Sequence, residues 1–367
     1  MSKPRYVFIG GFLGAGKTTA MIKFAEHLAA RGERVGVITN DQSTDLVDTE
    51  RVRAAGFPVD EITGGCFCCK FDALVSASER LCAAAAPEVV LAEPVGSCTD
   101  IRATVGLPLH RLHSASYDLA PLSVMVDPER CAQEFGLVKE APFSGKVLYV
   151  FRKQLEEADF IVINKVDRID ARLRERLIAE TQRRFPAARV FAVSCRTGDG
   201  LDAWFAAMRG ETSRNRATMD VDYDLYAEGE ARLGWLNATA RIDAPAPFDG
   251  DAAIAWIAEH VRRTLAARHI EIAHLKLTMR PDGVATLGAV SLTSTNEEPV
   301  PTRSLGAHIN GGNLLVNLRA EAAPELLRAA VARALAELPD ARTDVGAMSA
   351  FRPGRPTPTY RMTATAG

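Results

Sequence analysis

Four short stretches of the chain combine residue types at spacings that can do chemistry. Residues 11–18, Gly-Phe-Leu-Gly-Ala-Gly-Lys-Thr, fit the phosphate-binding pattern G-x-x-x-x-G-K-[ST]. They sit directly after the apolar run Tyr6–Ile9 and before the helix-like run Thr19–Ala30. Gly11, Gly14 and Gly16, with Ala15 between them, let the backbone turn tightly and aim N–H groups at phosphate oxygens. The helix opening at Thr19 adds donors and a partial positive charge. Lys17 is long enough to reach terminal phosphates, and Thr18 can offer its hydroxyl to Mg²⁺. Gly-rich strand-to-helix turns are common, but a full eight-residue match in this setting is rarely accidental.

The second stretch, Asn164-Lys165-Val166-Asp167, follows the apolar run Phe160–Ile163. The carboxylate of Asp167 can accept from both the ring N–H and the exocyclic amine of guanine. Adenine offers the wrong pattern and would leave a buried carboxylate unpaired. Asn164 and the stem of Lys165 tie the loop and cover the base, and Ser194 and Cys195 follow the next strand-like run, Cys195 offering its backbone. N-K-x-D alone is a weak signal. With the phosphate loop it selects GTP over ATP.

The third stretch is Glu93-Pro94-Val95-Gly96, at the end of the buried run Glu88–Ala92. Glu93 stands where an acidic group approaches Mg²⁺, and the Gly96 N–H is placed to sense a γ-phosphate, a usual switch arrangement. A simple edge carboxylate is the competing explanation for Glu93. Lys17, Thr18 and Glu93 are the expected catalytic groups. No Gln or His stands out as a water-positioning residue, so slow intrinsic hydrolysis is expected.

The fourth is Gly64-Gly65-Cys66-Phe67-Cys68-Cys69, three thiols within four residues on a glycine turn. Such thiols can converge on one soft cation. Redox chemistry is the rival. Three cysteines leave a tetrahedral site one ligand short, to be filled by Asp41, a histidine or water. His110 and His113 have a spacing that can ligate metal on a helix, though paired histidines are more often surface residues. Cys82, Cys98, Cys131 and Cys195 read as packing residues.

These stretches need a scaffold. Apolar strand-like runs at 6–9, 33–39, 88–92, 122–126, 160–163 and 189–193 alternate with helical patterns. That order gives an α/β fold with a mostly parallel sheet flanked by helices on both faces, a P-loop NTPase over residues 1–212. A polar stretch, 213–227, reads as a linker. Residues 228–353 read as a smaller α+β domain of order β-α-β-β-β-α, and 354–367 as a flexible tail rich in Pro and Thr.

The chain has 367 residues, 47% of them hydrophobic, enough for two ordinary cores. Its formal net charge of −2, from 44 Lys+Arg against 46 Asp+Glu, gives no electrostatic reason for nucleic acid or an anionic membrane as partner. Seven cysteines are an odd number, which argues against a disulfide framework. Met1 leads straight into the first strand and no run is long enough to span a bilayer, so a cytoplasmic protein is expected.

Taken in order, Gly11–Thr18, Cys66–Cys69, Glu93–Gly96 and Asn164–Asp167 resemble the CobW-like metal-chaperone GTPases, of the SIMIBI class, over about residues 5–210. The resemblance implies a Mg²⁺-dependent GTPase in which nucleotide binding assembles a site for Zn²⁺ or Co²⁺, and hydrolysis releases the metal to a client metalloprotein. It implies that Thr18 holds Mg²⁺, that Cys66, Cys68 and Cys69 face the metal, and that Asn164 and Asp167 read guanine. Where that family has Asn-Glu-Phe-Gly, this chain has Asn40-Asp41-Gln42-Ser43, and it has no His-rich loop. A regulatory GTPase or corrinoid-pathway helper with a redox or structural cysteine turn is the alternative.

Overall fold

Strands of four to seven residues that are apolar at nearly every position, such as Val89–Glu93, suit only a sheet covered on both faces. The computed structural model forms such a sheet. It describes all residues except 1–2, 42–46, 139–142, 214–216, 284–285 and 365–367. The chain divides into two units, residues 1–227 with 355–367 and residues 228–354.

The first unit runs β1 (Arg5–Gly11), α1 (Lys17–Ala29), β2 (Val35–Asn40), α2 (Val47–Ala54), β3 (Val59–Ile62), α3 (Phe71–Ala85) and β4 (Val89–Glu93). A π-turn at Arg102–Gly106 leads into α4 (Leu107–Leu112), followed by β5 (Asp118–Leu119), β6 (Ser123–Val126), α5 (Pro128–Glu134) and α6 (Gly145–Glu157). Then come β7 (Phe160–Ile163), α7 (Ala171–Arg184), β8 (Arg189–Ala192), α8 (Leu201–Gly210) and α9 (Tyr223–Arg232), the last crossing the boundary between units. The strand order is β3-β2-β4-β1-β6-β7-β8, with β5 also on β1, and the pairings are parallel.

Because all strands point one way, their carboxyl ends share one edge, where ligands bind in open α/β sheets. β1 lies between β4 and β6, so the phosphate loop leaves the sheet at its centre. Register sets the neighbours: Thr39 pairs with Glu93, Asn40 with Ile62 and Val126 with Ile163. On one face, Val7, Ile9, Val37 and Leu91 pack with Met21, Phe24 and Leu28 of α1 and Trp204 and Phe205 of α8. Each such buried side chain contributes about 1.5–3 kcal/mol. Tyr6, Phe8 and Val90 are buried on the other face.

The second unit is β9 (Gly234–Asp249), α10 (Gly250–Ala266), β10 (Ile272–Pro281), β11 (Gly288–Leu292), β12 (Val300–Arg303), β13 (His308–Ala320), α11 (Pro324–Ala336) and β14 (Arg342–Phe351). These strands form an antiparallel sheet, β12-β11-β10-β13-β9-β14. Ile254, Ile257, Val261 and Leu265 of α10 are buried with Leu327 and Val331 of α11 against Leu236, Ile242, Leu277 and Val316. Two strands go beyond the element order expected from sequence. β12 is exposed throughout and β14 mostly so. Neither has the apolar alternation that marks a strand, and both are held along sheet edges by backbone pairing.

Residues 213–227, read as a linker, belong to the first unit, where Val221 and Tyr226 are buried with Val150 and Ser213 donates its N–H to Leu119 O at 3.0 Å. Residues 355–364, read as part of a flexible tail, also return to that unit. Thr359 N–H donates to Cys68 O and Met362 N–H to Ala103 O, both at 2.8 Å, and Arg361 pairs with Asp100 at 2.7 Å. Gln42 and Ser43 lie outside the described residues. Among the described residues no helix is long and apolar enough to cross a membrane.

Candidate functional site

The phosphate loop keeps its shape because glycines occupy positions where a side chain fails. Gly11 has φ +126°, and a Cβ there would stand 2.1 Å from Met125 O. Gly16 has φ +93°, and its Cβ would meet Asn164 Nδ2 at 2.5 Å. Lys17 and Thr18 follow this loop as the first residues of α1, and both are buried. Lys17 Nζ donates to Phe12 O at 3.5 Å and lies 3.8 Å from Glu93 Oε1. Thr18 Oγ1 lies 2.8 Å from Asp48 Oδ1 and 3.2 Å from Glu93 Oε1. A hydroxyl and two carboxylates are hard oxygen donors, a set that fits Mg²⁺. Thr19 Oγ1 accepts from Arg51 at 3.0 Å.

Asp48, at the start of α2, has no motif around it in the sequence. It sits 30 residues from Thr18 along the chain. Gly96 packs against the phosphate loop so tightly that an added Cβ would fall 2.6 Å from Leu13 Cδ2. The Gln154 amide on α6 donates to Gly96 O at 3.0 Å and to Cys98 O at 2.9 Å, fixing that segment to the helix. Three residues further along α6, Glu157 accepts from the Arg102 N–H at 2.9 Å. Burial pushes the Glu157 carboxyl up to about 8.

At the other end, Asn164 links two loops. Its Nδ2 donates to Ala15 O at 2.9 Å, and its Oδ1 accepts from Cys195 N–H at 3.1 Å. Lys165 has φ +58° and pairs with Asp127 at 2.8 Å. Burial raises the Asp127 carboxyl, but the charges of Lys165 and Arg130 outweigh it and bring it to about 2. Asp167 accepts from Ser194 Oγ at 2.5 Å and pairs with Arg196 at 2.6 Å. Its carboxylate is thus oriented at the end of the sheet edge, with Ser194 as its positioning neighbour. Cys195 is buried, and burial pushes its thiol up to about 12, so it enters the site through its backbone.

The cysteine turn leaves the end of β3. Gly64 has φ +74° and Gly65 φ +156°, and the Asn40 side chain at the end of β2 pins the turn. Asn40 Nδ2 donates to Ile62 O at 3.0 Å and Gly65 O at 2.7 Å, while its Oδ1 accepts from Phe67 N–H at 3.0 Å. Phe67, fully buried near Phe8, anchors the loop from below. The Cys66, Cys68 and Cys69 sulfurs all lie within 4.8 Å of one another, at 2.8, 3.4 and 3.7 Å pairwise. Among the described residues no other group of three His, Cys, Asp or Glu donors converges this way. Shared protons with Cys66, Cys69 and Cys98, then burial, push the Cys68 thiol well above its ordinary range, and the contact with Cys66 raises Cys69. Three thiols so close can give up their protons to a soft cation bound between them.

Asp41, at the end of β2, donates its N–H to Ile62 O at 3.1 Å and is not part of the three-sulfur group. His110 is exposed and His113 half-buried near the Phe71 ring, and neither joins it. Two contributors lay outside the sequence expectations. The Thr357 N–H donates to Cys69 Sγ at 3.3 Å. Cys98, expected only to pack, places its sulfur 3.9 Å from that of Cys68.

Comparison with known proteins places this geometry in context. Residues 5–192 match the CobW/HypB/UreG nucleotide-binding domain. The zinc chaperone YeiR of Escherichia coli (strain K12) is 29% identical over 44% of this chain and 46% of its own. The zinc chaperone CobW of Sinorhizobium sp is also 29% identical, over 44% of this chain and 51% of its own. The chain spans about half the length of these curated relatives. Among solved structures, the hydrogenase maturation factor HypB from Archaeoglobus fulgidus is 22% identical, covering 56% of this chain and 89% of that one with a TM-score of 0.40.

Proposed function

The chain belongs to the CobW/HypB/UreG family by its nucleotide-binding domain, and on that premise we propose that it is a GTP-hydrolysing metallochaperone. In this scheme it takes Zn²⁺ or Co²⁺ onto Cys66, Cys68 and Cys69 while GTP is bound, and yields the metal to a client protein after hydrolysis. What supports this is the convergence of three sulfurs on a turn pinned by Asn40, at the sheet edge that also carries the phosphate loop. Three soft donors in one place favour Zn²⁺ or a like ion over Mg²⁺.

The roles follow from the contacts. Asp167 pairs with guanine, with Ser194 and Arg196 setting the carboxylate's orientation. Asn164 locks the base loop to the phosphate loop. Lys17 would hold the β- and γ-phosphates, and Thr18, Asp48 and Glu93, whose oxygens lie together, would hold Mg²⁺. When bound, Mg²⁺ neutralises charge developing on the phosphates. Gly96, packed on Leu13, is placed to register the γ-phosphate. Gln154 donates its amide nitrogen to the Gly96 and Cys98 carbonyls and so holds this segment on α6.

Nucleotide and metal affinities are then linked, and each must alter the other by the same factor. Competition titration of zinc should show at least roughly tenfold tighter binding with a non-hydrolysable GTP analogue than with GDP, about 1.4 kcal/mol of coupling. Changing Cys66, Cys68 and Cys69 to Ser should abolish tight binding and spare nucleotide binding. Equal zinc affinity with GTP analogue, GDP and no nucleotide would sink the proposal. The 2.8 Å contact of Cys66 with Cys68 favours a second scheme, a regulatory GTPase with a redox turn. That scheme calls for nucleotide-dependent partner binding in the absence of metal.

A further inference from the structure

We infer that Cys98 is a fourth sulfur ligand, which closes the three-cysteine turn into a four-thiolate site when the γ-phosphate is bound. This rests on the metal-binding scheme above and goes beyond it by naming the group that couples metal to nucleotide.

A Zn–S bond of about 2.3 Å in a tetrahedral site puts neighbouring sulfurs about 3.8 Å apart. Cys68 and Cys69 are 3.7 Å apart, and Cys68 and Cys98 are 3.9 Å apart, both near that spacing. Cys98 is fully buried and its thiol points at the Cys68 thiol, across 30 residues of chain. Two buried thiols aimed at each other beside a third and a fourth are poorly explained by packing alone. Cysteines buried as small hydrophobes have no need to cluster.

Cys98 stands outside the group in which all sulfurs lie within 4.8 Å of one another. To share one ion with Cys66 and Cys69 its turn must move toward them. That turn, 95–98, is closed by the Cys98 N–H donating to Val95 O at 2.9 Å. It carries Gly96 against Leu13 of the phosphate loop. Gln154 grips the carbonyls of both Gly96 and Cys98, so the two residues move as one piece together with α6. Glu93, which opens the segment, touches Thr18 and Lys17. A pull on Gly96 by the γ-phosphate therefore reaches the Cys98 sulfur over two residues. Loss of that phosphate frees the turn, withdraws one of four ligands and leaves the metal on three.

The closing experiment counts sulfurs directly. Zinc X-ray absorption of the reduced full-length protein should give four sulfurs at about 2.3 Å with the GTP analogue and three sulfurs plus a lighter atom with GDP. With the analogue, Cys98→Ala should give three. Its Co²⁺ complex should lose about a quarter of the sulfur-to-cobalt charge-transfer intensity, one thiolate in four. Cys82→Ala, on the outer part of α3, should change neither. Three sulfurs with the GTP analogue in the unaltered protein overturn the inference while leaving the metallochaperone scheme standing. Absence of zinc binding in every nucleotide state overturns both. Both outcomes are read from the unaltered protein, so they stand even if the variant does not fold.

Discussion

Replacing Asn164 with alanine tests whether the loop at 164–167 is tied to the phosphate loop by this side chain or only by the nucleotide. Asn164 is 2% exposed, and its amide spans from Ala15 O at 2.9 Å to Cys195 N–H at 3.1 Å. Both far groups are themselves buried. The change leaves a buried carbonyl and a buried N–H without that partner, at about 1–3 kcal/mol each, so about 2–6 kcal/mol in all. Water entering the space left by the side chain lowers the figure toward its lower end. Because the tie joins two groups of the protein itself, the cost must appear in the nucleotide-free protein. Calorimetry should show the first-unit transition about 5–10 °C lower. Titration with a fluorescent GTP analogue should show affinity reduced at least roughly tenfold, since the ligand must now order both loops. Gly16→Ala should disturb the same tie, because its Cβ would push on the same Asn164 nitrogen at 2.5 Å and adds the strain of a side chain at φ +93°. A tenfold loss of GTP affinity with an unchanged melting temperature refutes the reasoning, for then Asn164 acts on the base and not between the loops.

Two further outcomes follow from other contacts. Burial, and secondarily the Asp100 carboxyl, hold Glu157 at about 8 in the folded protein despite the Arg102 N–H, against an unfolded value of about 4.5. Below pH 4.5 both states are protonated and the group has no effect. Between about 4.5 and 8 only the folded state keeps the proton, so stability falls as pH rises, by at most about 1.4 kcal/mol per unit, and levels off above 8. Glu157→Gln should flatten that slope in denaturant titrations at pH 6, 7 and 8. An unchanged slope means that Glu157 is ionised in the fold. Thr357→Pro removes the N–H that donates to Cys69 Sγ without altering the flanking Pro356 and Pro358. Losses of about 10–100-fold are typical when a partner supporting a metal ligand is removed. Zinc should leave this variant at least about tenfold faster, and an unchanged off-rate shows that the C-terminal segment is only packed beside the turn.

The local motifs were readable because their chemistry lies in adjacent residues. Gly11–Thr18 folds into the expected loop since a positive φ at Gly11 and Gly16 and a helix start at Lys17 are properties of that segment itself. Asn164–Asp167 and Cys66–Cys69 likewise carry their donors within four residues. Parallel pairing of the strands followed from apolar runs alternating with helices, and it explains why these motifs meet at one edge. β14 is not legible in the sequence because edge pairing through the backbone leaves little mark on side-chain pattern.

The sequence by itself determined the pattern of a phosphate loop, an Asn-Lys-x-Asp loop and a cluster of three thiols, since each lies within a few adjacent residues, and the alternation of apolar runs with helices determined the α/β class of the sheet that orders them. Tertiary structure alone decided the rest. Asp48 reaches Thr18 across 30 residues, Cys98 reaches Cys68 across 30, and Thr357 reaches Cys69 across 288. None of these three has a neighbour in sequence that signals its role. Their meaning comes from where the sheet and α6 carry them, because a ligand or a positioning group is defined by distance in space, which chain spacing does not encode beyond a helical turn or two.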